Sequence, residues 1–169
     1  DPMTAPRPVR PAARLTSFSY RPSPAMRNET FTLDDFREIV TFPRRTWRYP
    51  HKTDVPLAEL IPLLPAPITR FSARSWDREI TLGGTDKDGE RFSFCISRPL
   101  SDADLETVGR IGTLRELTIS MKPKSQIAFT GHGLRHLTGL RDLEHLTVAS
   151  PLRLTGDWLA ALSKMPAMR

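Results

Sequence analysis

Three stretches of this chain superimpose without a gap: Leu100-Ser101-Asp102-Ala103-Asp104-Leu105-Glu106-Thr107-Val108-Gly109-Arg110-Ile111, then Phe129 to Leu140, then Leu154 to Met165. Their starts lie 29 and then 25 residues apart, and the first two are followed by the same short run, Leu114 to Ile119 and Leu143 to Val148. A period of this size means that each unit is one supersecondary element. After each apolar anchor stands a Ser or Thr (Ser101, Thr130, Thr155) able to cap a helix by accepting a bond from a free backbone N–H. Leu105, Val108 and Ile111 then fall on one helical face, as do Leu134, Leu137 and Leu140, and Leu159, Leu162 and Met165. Alternation follows, with Leu117 and Ile119, and again Leu146 and Val148, directed inward. One helix and one strand cannot bury their apolar faces alone, whereas neighbours stacked strand beside strand and helix beside helix can.

This pattern resembles the leucine-rich repeat family, in particular its longer bacterial and ribonuclease-inhibitor-like repeats. The LxxLxL hallmark stands here as Leu114/Leu117/Ile119 and Leu143/Leu146/Val148, within residues 98–169. One departure is that the family's usual Asn, three residues beyond the second strand anchor, is replaced by Lys122 and Pro151. The resemblance implies a short α/β solenoid, with parallel strands on a concave face and helices outside. It also implies that the strand residues facing away from the core grip a protein partner: Glu116, Thr118 and Ser120 in one rung, with His145, Thr147 and Ala149 beside them. The chain stops before a third strand, which reads as an array cut short.

Residues 29–97 read as a small α+β cap for that array. Thr32 is placed to cap a helix carrying Phe36, Ile39 and Val40, with Asp34 and Asp35 near its positive end. Leu57, Leu60, Ile61 and Leu64 stand at helical spacing ahead of Pro65 and Pro67. Ile68, Phe71 and Ala73 read as a strand leading to Trp76, Glu79 to Leu82 as a second, and Phe92, Phe94 and Ile96 as a third, with Gly83 to Gly89 as a turn. The Phe92 to Ile96 strand is expected beside the first repeat strand. Asp86, Asp88 and Glu90 lack the glycine position and the terminal Glu of a calcium loop, so a hairpin is expected instead.

Residues 1–28 hold six prolines and five arginines with Asp1 as the only acid, a composition that does not bury enough apolar surface to offset ordering and reads as an extended arm. Asp1-Pro2 ahead of Met3 reads as a cloning remnant. Up to Lys52 the chain carries ten Lys or Arg against five acids, while the whole chain carries 25 against 19, so the basic character belongs to the front. In Arg44, Arg45, Trp47, Arg48, Tyr49 and Lys52, cations alternate with aromatics, a mix that suits phosphate contacts with base stacking. A nucleic-acid or ribonucleoprotein role is the alternative to protein binding. The arm lacks the apolar core of a secretory signal, so the cytoplasm is the expected compartment. Its Arg, Ser and Thr content leaves delivery into a host cell or import into an organelle open.

No apolar run reaches the roughly 20 residues of a membrane span. The single cysteine, Cys95, excludes a disulfide within the chain and any multi-cysteine metal site. Gly83-Gly84 lacks the Lys and Ser of a phosphate loop, and no Gly-x-Ser-x-Gly elbow occurs. His132 and His136 stand four apart without a third ligand nearby, and Asp102 and Asp104 are accounted for by the first turn of a helix. The expectation is a non-enzymatic recognition module without cofactor or metal, either free-standing or the recognition part of a larger bacterial protein or secreted effector.

Overall fold

The computed structural model describes residues 29–40, 50–123, 128–149 and 156–165. Helix α1, Leu33–Ile39, begins where Thr32 expects it: the Thr32 hydroxyl accepts from the Asp35 amide, and the Asp35 carboxylate accepts from the Thr32 N–H at 2.7 Å. A two-residue strand β1, His51–Lys52, follows, then α2, Leu57–Leu60, continued by a 3-10 turn over Ile61–Leu63. Strands β2 (Ile68–Arg74), β3 (Glu79–Thr85) and β4 (Arg91–Ser97) form an antiparallel meander. Then come α3 (Asp102–Val108), β5 (Glu116–Ser120), α4 (Gly131–Arg135) with a 3-10 turn over His136–Gly139, β6 (His145–Ala149) and α5 (Gly156–Leu162).

Among the described residues this is a mixed α/β fold, with one six-stranded sheet in the order β1-β4-β3-β2-β5-β6 and five α-helices. Strands β2, β5 and β6 run parallel, as do β1 and β4; β2, β3 and β4 are antiparallel neighbours. Leu117 stands opposite Leu146 and Ile119 opposite Val148, so the two short runs of the sequence are adjacent and in register. Strands from before and after residue 97 belong to this one sheet.

Register explains which face is buried. One row of partners reads Phe94, Leu82, Phe71, Leu117, Leu146 from β4 to β6, and the next reads Ile96, Ile80, Ala73, Ile119, Val148. The first four members of each row are buried, while Leu146 and Val148 on β6 are partly covered. Against these rows pack Phe36, Leu57, Leu60, Leu105, Val108, Leu134 and Leu137 from the helical layer. Each buried side chain of this size contributes about 1.5–3 kcal/mol through removal from water.

Three expectations are corrected. The strand beside the first repeat strand is β2, not Phe92–Ile96, which lies two strands further out. The reason is that β4 pairs with β3 on one side and with β1 on the other, so the chain leaves β4 and passes β3 and β2 through α3 to reach β5 at the open edge of β2. Gly83 and Gly84 lie within β3 rather than in the turn. A Cβ at Gly84 would come 2.3 Å from the Pro67 carbonyl oxygen and 2.7 Å from the Phe92 ring, which lies over it. The turn itself is Asp86–Glu90, where the Asp86 carboxylate accepts from the Asp88 and Glu90 amides. In α5, Leu159 is 54% exposed instead of inward; Ala161 is buried, and Trp158 packs on Phe129 with ring centroids 5.1 Å apart. The large indole captures the inward position and rotates the apolar face by one residue.

Polar contacts tie the layers. Arg98, at the exit of β4, donates two bonds to Asp104 at 2.5 and 2.6 Å, and Asp104 also accepts from the Ser101 N–H and hydroxyl. Asp102 accepts from the Thr130 amide at 2.7 Å and hydroxyl at 2.8 Å, which hooks the cap of the second unit to the first turn of α3. The units approach through glycine. A Cβ at Gly109 would stand 2.2 Å from the His136 carbonyl oxygen, and one at Gly133 would stand 2.2 Å from Asp102 Oδ1. Substituting Ala for Gly109 or Gly133 is therefore expected to lower stability in urea unfolding by about 1–3 kcal/mol, with Gly112→Ala, which meets open space, close to neutral.

His51 is buried among Phe31, Phe36 and Phe94, with its ring centroid 4.4 Å from that of Phe31. Burial pushes its pKa down to about 4. An unfolded histidine titrates near 6.5, so between those values the unfolded chain binds more protons than the folded one. Stability from this group is complete above about pH 6.5 and is lost as the pH falls through the folded value, by about 3 kcal/mol in all. Urea midpoints between pH 7 and 4.5 are expected to fall steeply for the native chain and less steeply for His51→Phe.

Candidate functional site

The alternation that sends Phe71, Leu117 and Leu146 into the core sends their neighbours to the other face of the sheet. The partner registers arrange these neighbours as a grid. The first row is Ser93, Gly83, Arg70, Glu116, His145; the second Cys95, Thr81, Ser72, Thr118, Thr147; the third Ser97, Glu79, Arg74, Ser120, Ala149, with Lys52 paired to Ser97. Glu116, Thr118, Ser120, His145 and Thr147 are thus brought together on one side of two adjacent strands. All are exposed or half-exposed.

The face is hydroxyl-rich in the middle and charged along its margins. Arg74 pairs with Glu79, and with Asp77 at 3.4 Å. At the end of β2, Trp76 is 39% exposed, and the Lys122 ammonium lies 4.6 Å from its ring centroid. At the opposite end, Arg115 pairs with Glu144, and the Arg115 carbonyl accepts from the His145 N–H at 2.9 Å, fixing the rung of β6 to that of β5. The first row contains a depression bordered by Arg70, Ser72, Thr81, Gly83, Ser93 and Thr118, with Glu116 at its edge.

The resemblance placed only β5 and β6 on this wall. Arg70, Ser72, Arg74, Thr81 and Ser93 were missed as members because β2 was assigned to a cap. The signal was present in the alternation of Arg70, Ser72 and Arg74 with Phe71 and Ala73, the same polar and apolar beat as Glu116 to Ser120. Of the cationic and aromatic alternative site, Lys52 stands exposed on β1, while Arg44, Arg45, Trp47, Arg48 and Tyr49 lie outside the described residues, as does the arm over residues 1–28.

His132 and His136 meet edge to face with ring centroids 5.6 Å apart. Among the described residues, no group of three His, Cys, Asp or Glu side chains is placed to hold a metal ion, and no helix is long and apolar enough to cross a membrane. Compared with known protein families, curated proteins and solved structures, the chain matches none of them.

Cys95 sits in the second row, buried, with its sulfur 3.5 Å from the Thr81 hydroxyl. Burial pushes the thiol pKa up to about 12. Since the thiolate is the nucleophile, Cys95 is unreactive in the folded chain. A thiol-reactive disulfide reagent at pH 8 is expected to leave the folded chain unlabelled over minutes and to titrate one thiol immediately in denaturant.

Proposed function

We propose that the chain is a protein-recognition module that docks a macromolecular partner on the polar face of its sheet. The reading takes β2, β5 and β6 with α3, α4 and α5 as a short stack akin to leucine-rich repeats. The observation that carries it is the register: Glu116, Thr118, Ser120, His145 and Thr147 stand as two aligned rungs opposite the apolar rows. Such a face is set before binding by a sheet that is anchored on its other side, so little ordering is lost on docking. Its hydroxyls and dispersed charges suit a polar protein surface.

The test is capture of a partner at moderate salt by the immobilised chain. Capture is expected from the native chain and is expected to be lost in the double variant Glu116→Lys with His145→Glu, with the thermal midpoint unchanged. Undiminished capture by that variant overturns the reading. Binding to RNA or DNA that collapses between low and moderate salt, and vanishes when residues 1–52 are removed, would point instead to the basic segment.

A further inference from the structure

Within that face Gly83 carries no side chain and lines the depression. Arg70 stands opposite it on β2 and Ser93 on β4. Where a side chain would be, the Arg70 guanidinium lies across bare backbone: a Cβ at Gly83 would come 3.3 Å from Arg70 Nη2 and 3.3 Å from the Phe92 carbonyl oxygen. The depression has a volume of about 250 Å³ and is open to solvent. That is smaller than the usual site for a drug-sized ligand, roughly 300–1,000 Å³, and enough for one carboxylate-bearing side chain.

The electrostatics single out Arg70. Three described arginines are half-buried: Arg74 is paired with Glu79, Arg98 with Asp104, and Arg70 with no acid among the described residues. Glu116 is its direct register neighbour, yet no ion pair joins them. The hydroxyls of Ser72, Ser93 and Thr118 likewise make no side-chain hydrogen bond among the described residues. A half-buried guanidinium presents five donors in a planar fork, which matches an oxyanion bidentately. Partly removed from water and unpaired among the described residues, it retains most of that capacity for a ligand.

Resting on the docking role of this face, we propose that the Arg70–Gly83 depression is an anchor subsite for a carboxylate of the protein partner, an Asp or Glu side chain or a chain terminus. The guanidinium supplies the fork, the hydroxyls of Ser72, Ser93 and Thr118 supply further donors, and Gly83 lets the guanidinium lie against the sheet. A carboxylate is favoured over a phosphate because Glu116 stands at the rim. It repels a dianion more strongly than a monoanion, and it offers the partner's adjacent cation a place of its own.

The experiment is NMR of the full chain labelled with nitrogen-15, following the Arg70 Nε–H and Gly83 amide signals. The chain is titrated with sodium acetate and, separately, with inorganic phosphate, at ionic strength matched with chloride. Acetate is expected to shift both signals saturably, chloride not at all, and phosphate no more tightly than acetate. Arg70→Gln is expected to abolish the acetate response, Arg70→Lys to weaken it, and Glu116→Gln to tighten it about twofold to fivefold. That opposite movement is not produced by a merely structural arginine, and dispersed amide signals verify that each variant is folded. An acetate response that survives Arg70→Gln, or phosphate binding tenfold tighter than acetate, overturns the subsite. Saturable acetate binding without any face-dependent protein capture keeps the subsite and removes the docking reading; capture without acetate binding does the reverse.

Discussion

The register between β2 and β5 is the constraint on which the rest of the molecule depends. It sets Phe71 against Leu117 and Ala73 against Ile119, and so joins the antiparallel meander and the helix–strand units into one sheet with one buried side. A slip of one residue would send Arg70, Ser72 and Arg74 into the helical layer while Phe71 and Ala73 faced water. Desolvating those arginines unpaired costs far more than any backbone gain, so a single alignment survives.

The polar side of the sheet is a by-product of that alignment, and it is more organised than solvation requires. Its central row carries small hydroxyls and a thiol, its margins carry charges, and most of its half-buried charges are already paired. Against this background an unpaired arginine over a glycine floor stands out, since buried or half-buried charge is ordinarily matched within the chain. The helical side, in contrast, is sealed by leucine, isoleucine and phenylalanine, and it is held to the sheet at β4 by Arg98 and Asp104.

Local signals were legible in the sequence wherever they depended on residues close in the chain. Thr32 and Ser101 cap α1 and α3 through bonds spanning three residues, and the matched runs ending in Ile119 and Val148 form neighbouring strands. What could not be read was which strand adjoins β5. The alternation of Ile68 to Arg74 is compatible with any neighbour, and it is the pairing of β1 on the outer edge of β4 that leaves β2 as the edge for β5. Gly83 and Gly84 read as turn residues because glycine usually marks one; here Gly84 makes room for the Phe92 ring, a long-range demand. Leu159 and Trp158 show the same limit. Helical spacing proposes a face, but the size of the indole decides which side of it turns inward.

The crossover from β4 to β5 passes beneath two strands before the chain rejoins the sheet, and this imposes an order of assembly. Helix α3 covers the sheet only when β3 and β2 are side by side, and β5 joins the meander only at the edge that β2 offers. Contacts so distant along the chain close slowly, because the intervening loop entropy must be given up before they form. The units that follow residue 97 are therefore tenants of a foundation laid by the residues before it. A cut at that junction would separate a sheet from the scaffold that nucleates it, and would not yield two self-sufficient halves.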